Sequence, residues 1–249
     1  VFMMQKKVQI ISDGSLDLSQ ELTKEKDIEV VPFYVSFDSE TYQKEMVEVG
    51  VREFYQEMVD HPTVFPKTSM PSVHDYYEVF EKHAKEKMPV ICICITRKFS
   101  GSLQSATTAK DMILEEYPDA QITVIDSPVN TVLQGLYVLE ACRLRDMGLE
   151  YQQIVDALLP IRETGRIFFT IGSIDYLNEV NAKPGEYSFC IGYGYDHNEA
   201  LEFREMLKDL IKERLGIDEI GIYQIGATIG VHTGPYPIGI GIIKHALTE

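Results

Sequence analysis

The chain has 249 residues, room for one large or two ordinary domains, and its 45% hydrophobic and 25% charged composition is that of a globular protein with an ample core. A formal charge of −16 argues against nucleic acid or an anionic membrane as the main partner, since both need basic patches. No apolar run approaches the length of a membrane span and no leading segment reads as a signal peptide, so the expectation is a cytoplasmic protein with no integral membrane segment.

In chain order, Lys7 to Ile11 reads as a first strand, ending in the polar turn Ser12-Asp13-Gly14-Ser15. A short helix follows from Ser19 to Lys26. Ile28 to Phe37 reads as a second strand, and Pro32 within it points to an edge position or a bulge. Phe54, Tyr55 and Met58 mark a helix over Val51 to Val59. Thr68 and Ser69 then fall in a loop just ahead of a helix that Ser72 caps, with Asp75 completing a capping box. That helix carries Val73, Tyr77, Phe80 and Ala84 on one face.

The segment from Val90 to Tyr117 organises the chain. Val90-Ile91-Cys92-Ile93-Cys94-Ile95 is a continuous apolar run, the pattern of a strand buried on both faces of a parallel sheet. Cys92 and Cys94 share one face of it. No cysteine pair has zinc-type spacing with nearby histidines, and a reducing compartment is the simpler reading. A helix with Leu103, Ala106, Ala109, Ile113 and Tyr117 inward begins after Ser100-Gly101, with Ser100 or Ser102 as its cap. A strand that opens into a helix start seats small anions well, because the first amides lack backbone partners; a plain capped turn is the other open reading.

Gln121 to Ile125 reads as a strand ending in Asp126-Ser127-Pro128, followed by a helix with Leu133, Leu136, Tyr137, Ala141 and Leu144 inward that closes near Gly148. Ile154, Leu158 and Ile161 continue helically, with Pro160 expected to kink or shorten that helix. Strands are expected over Arg166 to Gly172, Tyr187 to Tyr193, Glu219 to Ile225 and Ile238 to Ile243, and a helix over Glu199 to Leu215. The alternation predicts an α/β protein of two α/β domains. Residues 1–150 form a mostly parallel sheet with helices on both faces, and residues 151–249 a smaller α/β domain.

Several chemistries have no motif here. There is no P-loop, no dinucleotide fingerprint after the first strand, no Gly-x-Ser-x-Gly elbow and no histidine pair at metal spacing. His61, His74, His83 and His245 fall where exposure is expected. His232 differs, because it lies in a loop between Gly230 and Gly234, where backbone approaches a ligand closely. Loops bearing Thr68, Ser69 and Ser100, with one imidazole, match a carboxylate better than a doubly charged phosphate, for which Arg97, Lys98 and Lys67 stand only at the edges.

At these residues the chain resembles the DegV family, the fatty-acid-binding subunits of bacterial fatty acid kinase. The resemblance rests on Ser12-Asp13-Gly14-Ser15 with Leu18, Val31-Pro32, Thr68-Ser69-Met70-Pro71-Ser72, Phe99-Ser100-Gly101-Ser102-Leu103-Gln104-Ser105-Ala106, Val124-Ile125-Asp126-Ser127 and Gly230-Val231-His232-Thr233-Gly234-Pro235. It implies a long-chain fatty acid held between two α/β domains, with no cofactor. It implies further that Thr68, Ser69, Ser100, Gly101, His232 and Thr233 hold the carboxylate. A separate ATP-binding kinase subunit would phosphorylate the presented carboxylate, so this chain would be a carrier without catalysis of its own. Two features depart from the family pattern. Tyr236 stands where the family has glycine, and Val180 runs directly into Asn181-Ala182-Lys183-Pro184, as though several dozen residues were absent near 180–183. The alternative function is a serine hydrolase or acyltransferase, with Ser100 as nucleophile, His232 as base and Asp13 or Asp126 orienting the imidazole.

Overall fold

The structure, a computed structural model, describes residues 8–169 and 183–247. Its first sheet contains β1 (Gln9–Asp13), β2 (Ile28–Val31), β6 (Val90–Cys94) and β7 (Ile122–Asp126) in the order β2-β1-β6-β7, all parallel. Every residue of β1 and β6 is buried, as continuous apolar runs in central strands require. Successive side chains divide between the two faces. Ile10, Ile91 and Ile93 meet Leu133, Tyr137, Ile154 and Leu158 from α5 (Thr131–Asp146) and α6 (Tyr151–Ile161). Ile11, Cys92 and Cys94 meet Tyr76, Phe80, Ala106 and Ile113 from α3 (Val73–Lys85) and α4 (Ser102–Glu116). The expected parallel sheet with helices on both faces is what the chain forms.

The second sheet has the order β10-β9-β11-β8, from β8 (Arg166–Phe169), β9 (Tyr187–Tyr193), β10 (Gly221–Gln224) and β11 (Ile238–Lys244). Strands β9 and β10 run parallel, while β11 is antiparallel to both β9 and β8. Helix α7 (His197–Leu215) covers one face, with Leu207, Ile211 and Leu215 against Phe189 and Ile191. Helix α5 covers the other, and a β-carbon at Gly241 of β11 would already touch Leu133 at 3.3 Å. Because α5 is packed between two sheets, nearly its whole circumference is buried, from Thr131 through Leu144. One apolar core therefore runs from the first sheet to the second, through Leu133, Leu136, Cys190, Ile225 and Ile243. The expected boundary near residue 150 falls in the α5–α6 turn, and this core crosses it.

A third, small sheet, β4-β3-β5, is antiparallel and uses β3 (Tyr34–Ser36), β4 (Gln43–Lys44) and β5 (Lys67–Ser69). It corrects two expectations. The strand expected from Ile28 to Phe37 is broken, because Pro32 has no amide to donate to a ladder. Strand β2 ends before it as the edge of the parallel sheet, and β3 begins after it in a different sheet. Thr68 and Ser69 are not in a loop either but in β5, paired with Val35 and Tyr34.

Three further expectations shift. The first strand continues through Asp13, and a 3-10 turn follows at Gly14–Leu16. Residues 230–235 are not a loop: helix α8 (Ala227–Thr233) runs through His232 and stops at Gly234, whose φ of 77° suits glycine. His83 is 4% exposed, with Nε2 2.6 Å from Glu29, and His245 lies 3.3 Å from Glu140, so neither is the free surface residue expected. Helix α1 (Gln20–Glu25), α2 (Val51–Asp60) and the Ser72–Asp75 capping box form as expected. Pro160 lies inside the last turn of α6, which tightens into a 3-10 turn at Arg162–Thr164. The junction near 180–183 and the end of the strand expected to Gly172 lie outside the described residues.

Candidate functional site

The parallel sheet changes direction between β1 and β6, since the connection from β1 goes to one side and that from β6 to the other. In open α/β sheets ligands bind beyond the carboxyl ends of the strands at such a point. The loop after β6 is built there around one buried carboxylate. Asp13, at the end of β1, accepts from the Ile95 amide at 2.9 Å and the Ser102 hydroxyl at 2.8 Å through Oδ2. Its Oδ1 accepts from Gln134 Nε2 at 2.8 Å and the Ser15 amide at 3.3 Å. Burial pushes the Asp13 carboxyl above its ordinary range, and these four bonds offset part of that shift. One side chain thus ties β1, β6, α4 and α5 together under the Ser100 loop.

This arrangement revises the cap assignment. Gly101 is the N-cap of α4, Ser100 Oγ accepts from the Ser102 amide at 3.1 Å, and the Ser102 hydroxyl turns inward to Asp13 and to Tyr76 at 2.6 Å. Gly101 lies close under Met70, and a β-carbon there would come 2.7 Å from Met70 Sδ, so the methionine side chain would have to shift.

A cavity of about 620 Å³ opens above this loop. Thr68, Ser100, Gly101, His232 and Thr233 all line it. Ser69 does not: successive residues of a strand point to opposite faces, so pairing in β5 separates it from Thr68. The remaining wall is largely apolar, with Phe33, Met70, Ile95, Phe99 and Ile229, and Lys98 brings a cation to the rim. Asn130 and Thr228 add polar groups that sequence reasoning missed. Their signal was position alone, since Phe33 and Asn130 follow parallel strands β2 and β7 and Thr228 sits one turn before His232. Met70 at 44% and Phe99 at 71% exposure leave apolar surface at the entrance.

The far wall is α8, which carries Thr228, Ile229, His232 and Thr233. A latch beside it joins α2 to the second sheet region: Arg52 donates to the Tyr195 carbonyl at 2.5 Å with its guanidinium 4.1 Å from the Tyr195 ring centroid, and the Tyr195 hydroxyl donates to Gln56 at 2.9 Å. Tyr236 packs edge-on against Tyr195.

Ser100 and His232 share the cavity, but no hydrogen bond joins them among the described residues. Asp13 is committed to the bonds above, and Asp126 faces Arg97, accepting its amide at 3.3 Å. Neither carboxylate orients His232, so the elements of a triad are not assembled. No cluster of His, Cys, Asp and Glu fit to hold a metal occurs among the described residues.

An α/β protein with a hydroxyl-lined, apolar-walled cavity at the switch point of its parallel sheet is the class these features define. The family model for DegV, described as "Uncharacterised protein, DegV family", matches residues 7–180, and the chain belongs to the DegV family. A DegV domain-containing protein from Clostridium perfringens is 28% identical over 172 residues, and the match covers 69% of this chain and 60% of that protein. The chain thus spans less than two thirds of that relative. Another, from Caldanaerobacter subterraneus subsp. tengcongensis, is 28% identical over 280 aligned positions covering 94% of this chain and 98% of the relative. A solved structure described as a stearic-acid-binding protein from Eubacterium ventriosum matches with a TM-score of 0.84 at 36% identity, over 96% of this chain and 98% of that one.

Proposed function

We propose that this chain binds a long-chain fatty acid, with the carboxylate at Thr68, Ser100, Gly101, His232 and Thr233 and the acyl tail along Phe33, Ile95 and Ile229. The observation that carries the reading is the convergence of those hydroxyls and one imidazole, from β5, the β6–α4 loop and α8, on one cavity with an apolar wall. The stearic-acid-binding relative supports the choice of ligand. The affinity comes from the tail, at about 0.8 kcal/mol per buried methylene, on the order of 10 kcal/mol gross for a common fatty acid. The hydroxyls fix orientation and keep the head at the rim. The cavity volume, about 620 Å³, lies within the roughly 300–1,000 Å³ range of small-ligand sites.

In this reading residues 1–150 supply the carboxylate loops, residues 151–249 close the site, and the protein is a carrier in the cytoplasm. The head, beside the exposed residues Gly101, His232 and Thr233, stays reachable by an ATP-binding kinase subunit that forms the acyl phosphate. Nothing in the geometry favours the hydrolase alternative. Denaturing extraction of the purified protein followed by mass spectrometry tests the binding: a co-purified C14–C18 fatty acid is expected, and a protein that is empty and also fails to bind added stearate ends the proposal.

A further inference from the structure

The wall formed by α8 is held in an unusual way. Its N-cap is Gly226, and two carboxyl side chains from distant parts of the chain converge there. Glu45, just after β4, accepts from the Ala227 amide at 2.5 Å through Oε1. Asp17, just after the Gly14–Leu16 turn, accepts from the Gly226 amide, and its Oδ2 accepts from the Thr131 hydroxyl. A β-carbon at Gly226 would collide with both carboxyls, which shows how closely the two approach the same atom.

Both acids are buried, Asp17 at 7% and Glu45 at 2% exposure. Among the described residues neither has an ion-pair partner. Among the described residues the titratable groups that act on them most are Asp13 from β1 and Tyr55 from α2, whose own hydroxyl is buried without a partner. Glu21 of α1, Arg52 of α2, Tyr193 of β9 and Tyr223 of β10 line a cavity that Asp17 and Glu45 also line, with Arg52 committed to the Tyr195 carbonyl. From α5 they meet the Thr131 hydroxyl, and from α8 the Gly226 and Ala227 amides and the Thr228 hydroxyl. Glu45 Oε2 and the Thr228 hydroxyl are also buried without a completed hydrogen bond. Two carboxylates that approach one glycine this closely, with no ion-pair partner among the described residues, disfavour each other's ionisation. Burial raises both, Asp17 with a further contribution from Glu45. The backbone bears the same mark. Asp17 and Thr131, bonded to each other, both have left-handed φ values of 51° and 46°, a conformation that β-branched threonine keeps only when its surroundings over-determine it.

We propose that Asp17 and Glu45 hold one proton between them and clamp the N-terminus of α8, and that loss of this proton at alkaline pH loosens the α8 wall and weakens fatty-acid binding. The inference rests on the binding function proposed above. With the proton in place, one carboxyl is neutral and the other complements the positive end of the helix. Without it, two like charges repel across Gly226, and the helix that carries Thr228, Ile229, His232 and Thr233 loses its anchor. Asp17 and Glu45 are positioning residues, because neither lines the cavity of Thr68, Ser100 and His232 and both touch the start of α8.

Glu45→Gln is the test. Its amide oxygen still accepts from Ala227, and its amide hydrogens replace the shared proton permanently. Parinaric acid, a fluorescent C18 fatty acid, is titrated against the wild-type protein and Glu45→Gln between pH 6 and pH 9. Titration of the probe's own carboxyl is common to both proteins and cancels. The expected result is a wild-type affinity that falls about tenfold more across this range than that of the variant. In parallel, hydrogen exchange at the amides of Ala227–Thr233 is measured without ligand; it should accelerate with pH beyond the intrinsic chemical rate in the wild type and not in the variant. Asp17→Asn removes the same titration if Glu45→Gln does not fold. Identical pH profiles for wild type and variant, in binding and in exchange, overturn the inference. Should parinaric acid bind neither protein, the function is wrong, and the exchange measurement alone decides on the clamp.

Discussion

The two walls of the cavity are held by buried carboxylates of opposite character. Under the Ser100 loop, Asp13 has a donor for each direction of its carboxylate: two amides, a hydroxyl and a glutamine side chain. Under α8, Asp17 and Glu45 share two amides and the Thr131 hydroxyl, with the Thr228 hydroxyl beside Glu45. A saturated carboxylate rigidifies the elements around it, whereas an under-supplied pair depends on a proton. One wall is thus fixed by hydrogen bonding, and the other is fixed only in one charge state.

The largest expected effect is on the saturated wall. Asp13→Ala leaves the Ile95 and Ser15 amides, Gln134 and Ser102 without their acceptor, and a loss of about 3–5 kcal/mol in urea unfolding is expected. A loss below about 1 kcal/mol would mean that the hub is not what holds the loop.

Next comes the pH dependence of stability. Glu45 is raised by burial from 4.5 to about 7, so the folded state binds its proton more tightly than the unfolded chain does. The stability linked to that proton is complete below about pH 4.5 and is lost as pH rises through about 7, at up to about 1.4 kcal/mol per pH unit. Asp13 and Asp17, also raised, act with the same sign. Unfolding midpoints measured from pH 4.5 to pH 8 should therefore fall in the wild type and fall less steeply in Glu45→Gln. Equal slopes would place the proton elsewhere.

A smaller effect isolates the bond between the two strained residues. Thr131→Ala removes the hydroxyl that Asp17 accepts from and should cost about 1–2 kcal/mol, more at pH 8 than at pH 5, where a protonated Asp17 needs the donor less. The smallest effect on the fold is expected at the ligand-facing surface. Ser100→Ala should cost no more than about 1 kcal/mol of stability, for the acceptor lost by the Ser102 amide, yet weaken stearate binding roughly tenfold, the value of one hydrogen bond to a charged group. Calorimetric titration with stearate checks it, and unchanged affinity would remove Ser100 from the head site.

Much of the framework was legible from local pattern. The all-apolar Val90–Ile95 run, the helix stripe at Ala106, Ala109 and Ile113, and the Ser72–Asp75 capping box each depend on residues within a few positions of one another, and each forms as expected. The failures share one cause, a partner distant in the chain. His83 looked like a surface residue until Glu29 of β2 came within 2.6 Å. Thr68 and Ser69 looked like a loop because β5 has only three residues and exists by pairing with β3. The His232 segment is a helix rather than a glycine loop because Asp17 and Glu45 supply acceptors for its first amides.

The order and type of the main elements were thus settled by the sequence itself, because helix and strand periods and caps are short-range properties. The tertiary structure alone decided which of the hydroxyl-bearing motifs face one cavity, that Thr68 lines it while Ser69 does not, and that Asp17 and the distant Glu45 meet at the start of α8 while Asp13 sits under the Ser100 loop. Burial and electrostatic coupling depend on neighbours in space, and no spacing along the chain records them.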